Sequence, residues 1–157
     1  MRTAYPGVGM ADLPSAVLFA CTMNSIRSPM AKGILKFLHG DRIYVDSVGV
    51  RKSDINGFCV TVMEEIGIDL SRHNPKSFDD LEDSYFDLVI PLSPEAQHKA
   101  VEMTRVIACE VEFWNTFDPS IIESDDRETL LNAYRTVRDQ LLVKLKKRFP
   151  LVTVADT

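Results

Sequence analysis

The sequence is poor in cysteine and contains no long apolar run. Its three cysteines, Cys21, Cys59 and Cys109, are too few and too widely spaced for the disulfide framework of a small secreted protein. No run approaches the roughly 18 apolar residues of a membrane span, and the N-terminus lacks the apolar core of a signal peptide. These absences predict a cytoplasmic protein that does not bind a membrane.

Positive charge is also scarce. Lysine and arginine total 18 against 23 aspartates and glutamates, a net charge of −5, which argues against the broad basic surface that nucleic-acid binding needs. His39, His73 and His98 show no metal-ligand spacing with one another or with the cysteines. We therefore expect no metal and no cofactor, and any anionic ligand must be held by a local site.

The remaining composition is that of one ordinary globular domain. Of the 157 residues, 45% are hydrophobic and 26% are charged, and a chain of this length can bury a sufficient core without disulfides. Residues 1–14 mix proline, glycine and small side chains without periodicity, which predicts a flexible N-terminal extension. The domain is expected over residues 15–157.

Apolar runs alternate with helical periodicities along this domain. Strands are predicted over 16–20, 43–46, 87–91 and 105–112, and helices over 29–40, 56–66, 94–103 and from Ser124 onward. In the last helix the predicted buried stripe is Leu130, Tyr134, Val137, Leu141 and Leu145. This alternation predicts an α/β fold with a four-stranded parallel sheet and helices on both faces.

The loop between the first strand and the first helix carries a candidate anion site. Its residues are Cys21, Thr22, Met23, Asn24, Ser25, Ile26, Arg27 and Ser28. The strand-to-helix edge of an α/β sheet is where ligands bind, and backbone N–H groups at a helix start can cradle a phosphate. Residues Thr22 to Ser28 are therefore predicted to bind substrate, and Arg27 can hold two phosphate oxygens.

The same loop supplies a candidate nucleophile. A positive local field stabilises the thiolate of Cys21, and the Ser28 hydroxyl can donate to it. Asn24 tolerates the left-handed backbone that turns N–H groups inward. Farther along, Asp118 precedes Pro119, and a carboxyl there could first protonate a leaving oxygen and then deprotonate water.

These two features together resemble the low-molecular-weight protein tyrosine phosphatase superfamily, which includes the thioredoxin-coupled arsenate reductases. The similarity extends over 17–149 and includes the segments VDSVG, VMEEIGIDLSRH, FDLVIPLS, FDP and YRTVRDQL. The resemblance implies metal-free catalysis with Cys21 as nucleophile, Arg27 as a catalytic phosphate-binding residue and Asp118 as general acid. It predicts a hydrolase for phosphate monoesters, on a phosphorylated protein, with phosphotyrosine expected, or on a small phosphate ester.

Two other functions stay open. The segment GIDLS and the pattern W-x-x-F-D-P resemble the arsenate reductases, but those enzymes use two further cysteines after the third strand, and here Ser93 stands in that segment. Such a reductase would need an external thiol. The second alternative is a non-catalytic phosphate-binding regulatory module. Cys59 and Cys109 are predicted to be buried packing residues, and Trp114 and Phe117 are predicted to belong either to the core or to the pocket mouth.

Overall fold

Four parallel strands form one sheet in the computed structural model, which describes residues 13–82 and 85–151. The strands are β1 (Ala16–Cys21), β2 (Tyr44–Gly49), β3 (Leu88–Pro91) and β4 (Glu110–Val111), in the spatial order β2-β1-β3-β4. The helices are α1 (Arg27–His39), α2 (Gly57–Glu64), α3 (Pro94–Met103) and α4 (Arg127–Arg148), with short 3₁₀ turns at Phe78–Asp80 and Pro119–Ile121. The predicted α/β architecture is confirmed, whereas most of the predicted extension lies outside the described residues.

The strand β1 is central and buried along its whole length. Its register pairs Ala16 with Tyr44 on one side and Val17 with Leu88 on the other. Alternate side chains enter two separate cores, so Phe19 packs with α1, α2 and α4 while Leu18 packs with α3. This two-sided burial explains why β1 is continuously apolar in sequence. None of the described helices is both long and apolar enough to cross a bilayer.

The observed bounds of helices and strands agree best with the predicted ones where capping residues mark the ends of an element. Helix α3 has the predicted bounds, because Ser93 accepts a hydrogen bond from the Ala96 N–H and Pro94 occupies the first helical position. The last strand is much shorter than predicted, since turns that follow α3 occupy the first part of that segment. In α4 the buried leucine near the start is Leu131, and Leu130 is only partly buried.

Candidate active site

The loop after β1 is held from outside by the segment that follows β2. Four loop carbonyls accept hydrogen bonds from that segment, at 2.8–3.1 Å: Cys21 from Val50, Thr22 from Arg51, Met23 from Ser53 and Ser25 from Asn56. Because these carbonyls bond to the segment outside the loop, N–H groups of the loop can face its concave inner side. The Asn24 N–H accordingly lies 3.3 Å from Cys21 Sγ. The loop therefore forms a concave nest of the kind that binds a tetrahedral anion.

Gly49, the last residue of β2, allows this close approach. A Cβ built at Gly49 would lie 2.2 Å from the Arg51 carbonyl oxygen and 2.7 Å from the Asn24 nitrogen. Both contacts are with backbone atoms, which cannot rotate away as a flexible side chain could. Any larger residue must displace either the loop or the segment that supports it.

We expect Gly49→Ala to destabilise the protein by about 1–3 kcal/mol, the usual cost of overpacking, and to weaken phosphate binding. Chemical denaturation and calorimetric titration with inorganic phosphate measure the two effects. Gly57→Ala is the matched control, because a Cβ at Gly57 meets nothing within 4 Å. If Gly49→Ala is as stable as Gly57→Ala, the close approach does not constrain the loop.

Asn24 organises the loop from within. It is fully buried, has a φ of 55°, and its Nδ2 donates to Ser28 Oγ at 2.9 Å and to Ser47 Oγ at 3.0 Å. Because Ser28 Oγ accepts from Asn24, its own proton remains for another acceptor. Cys21 Sγ lies 2.9 Å away, closer than the Val48 carbonyl oxygen at 3.3 Å. The sulfur therefore has a hydroxyl and an N–H donor positioned to stabilise a thiolate.

His73 supports Asn24 from behind. Its Nε2 lies 3.0 Å from Asn24 Oδ1 and 3.2 Å from the Asn24 carbonyl oxygen, so that nitrogen carries the proton. The Lys76 backbone N–H donates to the same Oδ1 at 2.9 Å. Burial, with the nearby Lys32 charge, lowers the pKa of His73 below its usual value. The ring is consequently neutral at neutral pH.

This lowered pKa predicts a pH dependence of stability. The unfolded chain binds the His73 proton more tightly than the folded chain does. Neutral His73 therefore makes its full contribution to the free energy of unfolding above the unfolded pKa of about 6.5. This contribution is lost as the pH falls through the lower pKa of the folded chain. We expect Tm to fall further between about pH 7.5 and pH 5 for the wild type than for His73→Gln, whose amide donates without titrating. Equal falls in thermal unfolding scans would exclude this role.

Arg27 and Asp118 lie close together beside the loop. Arg27 is the first residue of α1. One of its guanidinium nitrogens donates to the Thr116 carbonyl oxygen at 3.0 Å, and a second guanidinium nitrogen lies 3.9 Å from Asp118 Oδ2. The other Asp118 oxygen accepts from the Ser120 hydroxyl at 2.7 Å and from its N–H at 3.0 Å. Asp118 is about one-third exposed and Arg27 is largely buried. The carboxyl is thus held partly exposed, with one oxygen bound by Ser120 and the other directed towards the guanidinium.

The structure brings the predicted residues to one place with one qualification. The Ile26 side chain is buried in the core, so only its backbone can face a ligand. Thr22 Oγ1 donates to Ser93 Oγ at 3.0 Å, which connects the loop to the start of α3. The roles of Gly49 and His73 were not predicted from the sequence. A glycine at the end of a strand and a histidine in an irregular segment are both common, so neither residue indicates a role in the loop from the sequence alone.

The other two cysteines lie away from the concave side of the loop. Cys59 is fully buried on α2, with its Sγ 3.7 Å from the Ile26 carbonyl oxygen. Burial, with a contribution from Cys21, raises the pKa of Cys59 to about 12 and keeps it a thiol. Cys109 is partly exposed rather than buried, because it precedes the short edge strand β4.

Trp114 and Phe117, predicted to lie either in the core or at the pocket mouth, have different environments. Trp114 is 7% exposed in the core, with its Nε1 donating to Glu112 at 2.7 Å, so it does not form the pocket mouth. Phe117 is 48% exposed beside Asp118. Among the described residues no group of three or more His, Cys, Asp or Glu side chains could hold a metal ion.

Comparisons with known proteins agree with this geometry. The family profile for "Low molecular weight phosphotyrosine protein phosphatase" matches residues 16–147. A glutaredoxin arsenate reductase from Synechocystis sp. is 33% identical over 126 residues, 80% of this chain and 88% of that protein. An arsenate reductase from Bacillus subtilis is 31% identical over 131 residues, 83% of this chain and 92% of that protein. Among solved structures, a low molecular weight protein tyrosine phosphatase from T. tengcongensis has a TM-score of 0.69 at 26% identity, covering 85% of this chain and 97% of that one.

Proposed function

Since the chain belongs to the low molecular weight phosphotyrosine protein phosphatase family, we propose that it hydrolyses phosphate monoesters, with phosphotyrosine on a protein as the substrate. The family is one of cysteine-based phosphatases and arsenate reductases. The observation that supports hydrolysis is the position of the Asp118 carboxyl, which is partly exposed and lies 3.9 Å from the guanidinium of Arg27, the residue expected to bind phosphate. Displacing an oxygen leaving group from phosphorus needs a proton donor at this place.

In the first step the thiolate of Cys21 attacks phosphorus while the phosphate lies in the nest. A P–S bond forms, the P–O bond to the leaving group breaks, and Asp118 gives its proton to the departing oxygen. Arg27 and the loop N–H groups hold the equatorial oxygens, whose charge they stabilise throughout. The products of this step are the free alcohol or phenol, phosphocysteine and ionised Asp118.

In the second step water attacks the phosphocysteine. Asp118, now ionised, accepts a proton from the water as the new P–O bond forms and the P–S bond breaks. The electron pair of that bond returns to sulfur, where the Ser28 hydroxyl at 2.9 Å and the Asn24 N–H at 3.3 Å stabilise the thiolate. Phosphate leaves, and both Cys21 and Asp118 regain their starting states.

Arsenate reduction is the second candidate, because the curated relatives at 31–33% identity are named arsenate reductases. Reduction of As(V) to As(III) takes two electrons, which two thiols supply by forming a disulfide. Cys21 is one thiol, but the residue at the start of α3 is Ser93, whose hydroxyl cannot form a disulfide. The second electron must then come from an external thiol, for which glutathione, mycothiol, glutaredoxin or a thioredoxin-like protein are candidates.

One assay separates these functions. The full-length protein is given a phosphotyrosine peptide or, in parallel, arsenate with glutathione and glutaredoxin or with thioredoxin, all in the presence of chelator. We expect phosphate release from the peptide to exceed arsenate turnover with every thiol donor. Arsenate turnover comparable to phosphate release would displace the phosphatase proposal. Tight peptide binding without phosphate release would instead support the non-catalytic module.

A further inference from the structure

A second cavity lies beside α1, behind the catalytic loop. Its volume is about 330 Å³, near the lower limit for small-molecule sites. Gly33 of α1 allows the chain after α2 to pass close by, since a Cβ at Gly33 would lie 3.1 Å from side-chain atoms of both Ile68 and Leu70. These two residues also line the cavity. One part of its wall is therefore apolar.

The charged side chains around this cavity are mostly positive. Lys32 and Lys36 come from α1, and Arg72 and His73 from the irregular segment that follows α2. The one carboxylate in the lining is Asp69. Hydrogen bonds from the hydroxyl and N–H of Ser71 lower the pKa of Asp69, so it is ionised and engaged locally. Two lysines and one arginine against one carboxylate give the lining an excess of basic side chains in a chain of net charge −5.

The partly buried Lys32 is incompletely neutralised. Its Nζ lies 3.5 Å from Asp46 Oδ1, but the other oxygen of this buried carboxylate pairs with Lys76. One carboxylate thus serves two ammonium groups. Burial lowers the pKa of Lys32, and the charges of Lys36 and Lys76 act in the same direction against the attraction of Asp46. A further anion in the cavity would relieve this repulsion.

We propose that this cavity binds a small organic phosphate, with its dianion held by Lys32, Lys36 and Arg72 and its apolar part against Ile68 and Leu70. The site is separate from the nest of the catalytic loop, because it lies on the side of His73, which contacts Asn24 from behind. Binding of a phosphate in this cavity requires neither the Cys21 thiolate nor the Asp118 carboxyl. Binding at this cavity is therefore independent of the proposed phosphatase activity.

The probe is phenylphosphonate, a phosphate-ester analogue whose P–C bond the protein cannot hydrolyse. It is titrated in phosphate-free buffer into the ¹⁵N-labelled full chain, and backbone amide shifts are followed by residue. We expect saturable shifts at Gly33, Lys36 and Arg72 that persist in Arg27→Ala, which lacks the phosphate clamp of the loop. Shifts confined to residues 22–28 would overturn the proposal, whether or not the enzyme hydrolyses phosphate esters.

A paired substitution tests whether the cations themselves bind the probe. Lys36 and Arg72 are both exposed, so Lys36→Ala/Arg72→Ala is expected to fold. It should weaken binding at the cavity by roughly tenfold or more, since each removed contact is a charge-assisted hydrogen bond. The control is Lys146→Ala/Arg105→Ala, an exposed helical lysine and an exposed non-helical arginine elsewhere in the chain. Equal affinity for the two double variants would overturn the site.

Discussion

Cys21→Ser is expected to abolish phosphate release while the loop stays folded. We expect hydrolysis of para-nitrophenyl phosphate near pH 6 to fall by at least about 10⁴-fold, the scale seen when a nucleophile is removed. A hydroxyl does not ionise beside the Ser28 Oγ and Asn24 N–H as a thiol can, so the attacking anion is lost. The backbone nest and Arg27 are unchanged, and the variant should still bind inorganic phosphate.

Cys109→Ser is the matched control, because it makes the same atomic change at a partly exposed thiol outside the site. Its turnover should stay within about twofold of wild type, as for a surface substitution. Acid quenching of the wild type during turnover should trap one phosphoryl group on the peptide that contains Cys21, detectable by mass spectrometry. Substantial turnover by Cys21→Ser would remove the phosphocysteine from the mechanism.

The loop was predictable because its determinants are local. An apolar run buried on both sides identifies β1, the cysteine follows at its carboxyl end, and α1 begins within the same short stretch of chain. Helix α3 was predictable for a similar reason, since the capping residue Ser93 and Pro94 are adjacent. In both cases neighbouring residues determine the backbone, and a single sequence contains that information.

The parts that escaped prediction depend on contacts distant in sequence. His73 is 49 residues from Asn24, and it supports the loop only because the chain after α2 returns to α1. Gly49 likewise matters through its approach to Asn24, which no local pattern encodes. The length of β4 depends on pairing at the sheet edge with β3, where Glu110 and Val111 are in register with Leu88 and Val89, and the N–H groups of Glu112 and Trp114 donate to Val89 and Pro91 beyond the strand itself. Periodicity alone cannot supply that limit.

Asp118→Asn is expected to slow the enzyme by an amount that depends on the leaving group. With phenyl phosphate, whose phenolate is a poor leaving group, we expect a loss of about 10²- to 10⁴-fold, the scale of general acid catalysis. With para-nitrophenyl phosphate the loss should be smaller, because the more acidic nitrophenol needs less protonation. The asparagine can still accept the hydrogen bonds from Ser120, so the turn at Pro119 is retained.

The comparison between substrates distinguishes proton donation from a positional role. Asp118 lies 3.9 Å from Arg27, so its replacement could also disturb the guanidinium that binds phosphate. A disturbed Arg27 would slow both substrates by the same factor, whereas a lost acid slows phenyl phosphate more. Asp125→Asn, an exposed carboxylate that precedes α4, controls for the change in charge and should leave both rates unaltered. Equal losses with the two substrates would make Asp118 a positioning residue for Arg27 and leave the proton donor to be found elsewhere.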